Sequence, residues 1–463
     1  MGLSSEQKGI IGMSSCEAVS RAFNSVLSDL EKGGWIQTNE YLLDPVATLN
    51  EHDKSNTINS DQLCKYIAAS IPTHCMDGWS FLSRAIHCSL RGDSTTAGHL
   101  AYYAELRAAM SLLASAGIGV FNNMHVVINK DGETLLFKGL GTHNFAWLAL
   151  EEWSLSQSAY NLVGELITFK SFTLSQWLTE FGGKSNLSPL ASSLLKQFGL
   201  DLKSFSFDRQ TRNSYSYRPS HLKRVQYLSM SDRLSFIINL WNVFNPLLVT
   251  RFGNLDCYLL RKSLLATYQG IFAKKGDGGG IIRADNRSSL DAGVQESQSF
   301  KKKINSTMER LPLSSAAIEV CTNFFDTDLY PEPELLKHAE THSSIEDAKH
   351  HLGMISRAAL LLRFATGSCA QLINDHSFSQ DALTLWLYEL GLERGFWSSG
   401  DKPDFENDGP CILWEDIDQT IQDILELEER EDVLIQDTAN HKSSYLIDVM
   451  EDCEKIGMWG LLP

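Results

Sequence analysis

Apolar positions recur along most of this chain at three- and four-residue steps, the period that lays one stripe along an α-helix. The pattern is clearest from 92 to 153. There Leu100, Tyr103, Leu106, Met110 and Leu113 share one face, and Asp93 or Ser94 offers a cap for the free amides at the start. Ala104, Ala108, Ala109 and Ala114 favour helix, and Gly117 and Gly119 stop it. The period then shortens to two. Residues 125–129 and 133–138 are β-prone runs around Lys130-Asp131-Gly132, whose Asp-Gly pair suits a tight hairpin turn. Thr142 reads as the cap of a further helix carrying Phe145, Leu148 and Leu150, with Trp147 and Trp153 on it.

The same reading extends both ways from this stretch. Val19, Phe23, Val26, Leu27 and Leu30 predict an amphipathic helix over 16–30, ended by Gly33-Gly34, and 43–59 reads as a loop. A helix over 62–71 should stop at Pro72, and another over 79–90 carries Trp79, Leu82, Ile86 and Leu90. Beyond Trp153 the chain reads as helical to about 200, with a strand at 162–169 and a short helix at 174–181. Helices follow at 234–249 and 257–272, then a mobile Gly-, Asp- and Ser-rich loop at 274–299, with Lys301-Lys302-Lys303 opening the next helix. Stacked helices are expected at 314–325, 333–342, 344–367 and 380–391. The expected fold is mainly α and multi-helical, with one small β-hairpin inserted in the N-terminal half. Three units are expected: a helical domain over 1–205 with its hairpin at about 125–138, a helical domain over 206–400 with a basic surface, and an acidic helical tail over 401–463.

Charge sharpens that division. The net value is −17, but residues 401–463 hold 18 Asp and Glu against 4 Lys and Arg, while 201–310 hold 18 Lys and Arg against 9 acids. In the basic middle, Arg209, Arg212, Arg218, Lys223 and Arg224 are interleaved with Tyr215 and Tyr217, the mixture of cations and rings that nucleic-acid binding uses. In the tail, Ile417, Ile421, Ile424 and Leu425 form one apolar face among carboxylates, a docking helix for this chain or for a partner. Nine cysteines without any CxxC pair suit reduced thiols in a cytoplasm. No apolar run is long enough for a membrane span, and the N-terminus lacks a signal-peptide pattern.

Candidate chemistry is sparse. His74-Cys75 and His87-Cys88 offer zinc-type ligands, but His87 and Cys88 diverge on a helix and the spacing fits no finger, so no metal and no cofactor is expected. Arg357 and Arg363 read as helix-surface arginines. What remains is the concentration of Arg91, Asp93, His99, Tyr103, Glu105, Arg107, His125, His143 and Trp147 around the opening stretch.

The phrases HLAYYAELRAAMSLLASAGIGVF and GTHNFAWLALEEW resemble segments of helical bacterial proteins encoded near phage-defence genes, distantly similar to HEPN-type helical domains. The resemblance covers residues 75–155, about a sixth of the chain. HEPN ribonucleases use an Arg, a polar residue, four to six further positions and then His, the pair polarising the scissile phosphate and handling the proton of the attacking 2′-hydroxyl. Here Arg91 is followed by Gly92, and His99 lies seven intervening residues away. That departure implies a non-catalytic accessory or scaffold subunit of a bacterial defence assembly, with a protein partner and possible nucleic-acid contact. The alternative is a metal-independent ribonuclease or toxin using Arg91, His99 and His143.

Overall fold

The computed structural model describes residues 2–31, 38–181, 228–245, 252–273, 290–326, 329–341, 347–375, 380–400, 412–428 and 444–461. The chain begins with α1 (Ser5–Gly12), α2 (Cys16–Glu31), α3 (Pro45–Ser55), α4 (Ser60–Leu90) and α5 (Ser94–Ser115). Strands β1 (Ile118–Gly119), β2 (Met124–Ile128) and β3 (Thr134–Lys138) follow, then α6 (Thr142–Ser154), α7 (Gln157–Leu166), β4 (Thr168–Phe169), β5 (Phe172–Thr173) and α8 (Leu174–Phe181). The second half holds α9 (Met230–Phe244), α10 (Gly253–Ala273), α11 (Leu290–Met308), α12 (Ser315–Phe324), α13 (Glu334–Glu340) and α14 (His350–Asp375). It closes with α15 (Gln380–Arg394), α16 (Ile412–Glu428), α17 (Ser444–Glu451) and α18 (Glu454–Leu461). The fold is mainly α and multi-helical, as expected. Among the described residues no helix is long and apolar enough to cross a membrane.

Several elements differ from the sequence reading, each for a local reason. The 43–59 loop contains α3: Asp44 accepts from the Ala47 amide at 2.9 Å, Pro45 occupies the first turn, and Asn56 closes the helix in the left-handed conformation. Pro72 does not stop its helix. It removes the amide that would bond the Ala68 carbonyl, and α4 nonetheless continues through it, with Ala68, Ile71 and Pro72 buried in the core. Thr142 does not cap α6 with its side chain; its hydroxyl donates to Phe121 and Asn122 carbonyls at 3.1 and 3.3 Å. The strand expected at 162–169 is mostly α7, with only β4 extended. The hairpin gains a third strand, giving the antiparallel order β1-β2-β3, and β4 and β5 form a second sheet. Of the expected loop at 274–299, residues from Leu290 belong to α11, and 274–289 lie outside the described residues.

The centre of the molecule is α14, buried at every position from His350 to Ala370. It lies across α4 and α5, and Gly78 permits that approach: a Cβ there would sit 2.6 Å from Leu362 Cδ2. A helix hydrophobic all round belongs in a core, and its charges must then be paired. They are. Arg363 forks onto Asp256 at 3.0 and 2.8 Å, donates to the Leu166 carbonyl and lies 4.4 Å over the Phe252 ring. Arg357 stands 3.8 Å from Glu105. Neither arginine is on the surface, contrary to the sequence reading, because the helix has no solvent face between His350 and Ala370.

The tail folds back on this chain. Ile417, Ile421 and Ile424 are buried in the common core, and only Leu425, 41% exposed, is left for an external partner. Trp241 donates its indole hydrogen to the Met450 carbonyl at 2.9 Å, and Trp459 packs edge-on against both Trp414 and Phe252. Arg209, Arg212, Tyr215, Tyr217, Arg218, Lys223 and Arg224 lie outside the described residues.

Candidate functional site

A cavity of 310 Å³ opens where α4 and α5 meet the loop after β1 and the start of α3. His74 comes from α4 and Arg107 from α5, and both line it, with Tyr66, Ser70, Asn122 and Thr142 among the polar neighbours. Arg107 donates to His74 Nδ1 at 3.0 Å, and its Nε stands 3.7 Å from Asp77. A guanidinium can only donate, so His74 Nδ1 must accept and the ring proton sits on Nε2. Burial first, and the Arg107 charge second, push the His74 pKa down to about 3. His74 is half-buried, and the hydrogen bond from Arg107 independently requires a neutral ring.

The donors left to this cavity are cationic or neutral. Ser70 and Thr142 spend their hydroxyl protons on the Ile67 and Phe121 carbonyls. Burial raises the Tyr66 pKa more than Arg107 lowers it, so the phenol keeps its proton. Arg107, His74 Nε2–H and Tyr66 therefore give a donor set with one formal positive charge, and among the described residues no Asp or Glu lines the cavity. Such a set suits a phosphate or carboxylate oxygen. Tyr66 and Phe121 rings, 6.1 Å apart and 30° from parallel, add a flat apolar wall.

The residues singled out from the sequence are distributed differently. Arg91 caps α4 and pairs with Glu451 of α17 and with Asp448 at 3.3 Å. It also meets His87 Nδ1 at 2.9 Å, and the same His87 nitrogen lies 2.6 Å from Glu451. His99 packs edge-on against Tyr103, and His143 bonds the Tyr102 hydroxyl at 2.9 Å. Tyr103 also faces His143, so the structure brings His99 and His143 to one aromatic cluster and holds Arg91 in a separate ionic one. Cys75 faces Thr366 at 3.3 Å, its thiol pushed up to about 12 by burial, while His74 and His87 turn to Arg107 and Glu451. Among the described residues no group of three His, Cys, Asp or Glu could hold a metal.

No family model, curated protein or solved structure matches the chain. Sequence reading included Arg107 in the polar concentration and His74 among possible zinc ligands, but it did not join them. The signal was faint: the two lie 33 positions apart and meet only because α4 and α5 are antiparallel neighbours in one register.

Proposed function

We propose that this chain is a non-catalytic accessory or scaffold subunit of a bacterial antiphage defence assembly. It works in the cytoplasm with a protein partner, and the basic segment around 209–224 provides nucleic-acid contact. The observation that carries the non-catalytic reading is the fate of Arg91. Its guanidinium is committed to Glu451 and Asp448, and its His87 contact lies inside the same cluster, so the arginine fastens α17 to α4 instead of facing a phosphate. The cavity at Arg107 and His74 supports an anion-holding role for the same body, with a neutral imidazole acting as donor rather than as acid. Association with a defence complex follows from the resemblance of residues 75–155.

The test is co-purification of the tagged full chain from its host background, at salt high enough to strip nonspecific polyanions. Recovery of a second protein in stoichiometric amount is the expected outcome. A lone chain that degrades RNA, and stops doing so after His99→Ala, would overturn the proposal and install the ribonuclease alternative.

A further inference from the structure

The Arg107 cavity is built from two helix faces and a loop. Tyr66, Ser70 and His74 recur at four-residue steps along α4, and Arg107, Met110 and Ala114 at three- and four-residue steps along α5, so each helix lends one face to the same space. Val46 of α3 and Phe121 of the loop after β1 close other sides. Arg107 bonds His74 and its charge reaches Tyr66, which gathers three donors around one guanidinium. The His74 Nε2 hydrogen and the Tyr66 hydroxyl have no hydrogen-bond partner among the described residues, and neither belongs to the sealed polar atoms of the described core.

The charge of this donor set selects among anions. Arg107 Nε lies 3.7 Å from Asp77, Asp77 lies 4.0 Å from Arg394, and Arg394 lies 3.5 Å from Glu454. That chain of four groups sums to zero, and the neutral His74 ring adds no charge. A single negative charge can still be matched by the guanidinium. The second charge of a phosphate monoester would find no counter-charge among the lining residues and would carry an uncompensated desolvation cost. The remainder of the lining selects the body. Tyr66 and Phe121 rings, 30° from parallel, stand beside Ile67, Met110 and Val120, a wall that suits the face of a flat apolar group.

We infer that this cavity binds a planar aromatic monocarboxylate. Its carboxylate takes hydrogen bonds from Arg107, the His74 Nε2 hydrogen and the Tyr66 hydroxyl, and its rings lie along Tyr66, Phe121 and Met110. The inference rests on the anion-holding reading of the cavity and narrows it to one charge and one shape.

Calorimetric titration of the full chain at pH 7.5 tests the assignment with three probes: 2-naphthoate, 2-naphthyl phosphate as a dianion on the same rings, and acetate as the carboxylate without rings. 2-Naphthoate should bind saturably with a Kd of roughly 0.1–1 mM, as expected for a ligand of its size. It should bind more tightly than 2-naphthyl phosphate, and at least about tenfold more tightly than acetate, which buries no apolar surface of comparable area. Arg107→Gln should weaken 2-naphthoate about tenfold, and Tyr66→Phe, which keeps the ring and removes one donor, about threefold. Absence of saturable heat with 2-naphthoate, tighter binding of the dianion, or acetate binding as tightly as 2-naphthoate would each overturn the inference without recourse to a variant. Affinity unchanged in Arg107→Gln would overturn it as well. Phosphorus-31 line widths of inorganic phosphate, read on the same chain, separate this failure from that of the broader reading. Broadening that depends on Arg107, without 2-naphthoate binding, overturns the ligand class and leaves the anion-holding role; no broadening and no binding overturn both.

Discussion

Two arginine–histidine pairs lie along α4, and they share nearly the same internal geometry. Arg107 meets His74 Nδ1 at 3.0 Å, and Arg91 meets His87 Nδ1 at 2.9 Å; each histidine is followed by a cysteine. Their surroundings separate them. Near the first pair, Asp77 is the one carboxylate in an ionic contact among the described residues, and Arg394 approaches it too at 4.0 Å. Near the second, Glu451 and Asp448 face a single guanidinium. The first pair thus keeps positive charge beside a cavity, whereas the second has its charge consumed in fastening the C-terminal helices. The chemistry available to an Arg–His pair is set less by the pair than by how many carboxylates the tertiary fold delivers to it.

The contrast can be broken first on the fastening side. A Cβ at position 457 would lie 2.4 Å from Trp79 Cδ1, and Trp79 is fully buried, so Gly457→Ala should force α18 away from α4. The expected loss is about 2–4 kcal/mol in denaturant unfolding. An unchanged midpoint would show that α18 is not held against α4 in this way.

Lowering the pH tests the neutral histidines next. His125 accepts from the Phe121 amide at Nδ1 and donates to the Leu140 carbonyl from Nε2, so its tautomer is fixed, and burial pushes its pKa down to about 4. Burial does the same to His351, also to about 4. The unfolded chain takes up protons on these rings below about pH 6.5, and the folded chain does not until about pH 4. Stability should therefore fall as pH drops through that window, by on the order of 1–2 kcal/mol per ring between pH 7 and 5. Nitrogen-15 shifts should meanwhile show His74 still neutral at pH 5, since its pKa is held near about 3.

Smaller effects sharpen the comparison. Glu451→Gln removes the charge that Arg91 and His87 share, and should cost about 1 kcal/mol, diminishing as salt rises. A loss that does not depend on salt would point to packing instead. Smallest for stability is Arg107→Gln, expected within about 0.5 kcal/mol of the parent because the side chain is a third exposed. Its effect should appear in binding: phosphorus-31 line broadening of inorganic phosphate by the parent chain should vanish in the variant, and persistence of the broadening would remove Arg107 from the anion site.

Much of the scaffold was legible because its signals are local. Asp93 caps α5 through the Thr96 amide, and Lys130-Asp131-Gly132 turns the hairpin with Gly132 at φ 82°, both as read from the sequence. The losses arose where a local rule met tertiary compensation. Pro72 was read as a stop because a local rule was applied to a helix that tertiary burial carries through the proline, with Ala69, Ile71 and Pro72 itself all buried in α4. Asp44-Pro45 carried a helix-start signature that was passed over as loop composition. The candidate site was least legible. Joining His74 to Arg107 needs the relative rotation of two helices, and recognising Arg91 as structural needs Glu451, 360 positions away.

The burial of α14 on every side from His350 to Ala370 also sets a schedule for synthesis. Its seat is built by α4 and α5, which leave the ribosome more than 230 residues before α14 begins. At ordinary translation rates that interval is roughly 12–50 s, during which Trp79 of α4 lacks Thr366 of α14, the acceptor of its indole hydrogen. A chain built this way completes its core only after α14 has been made.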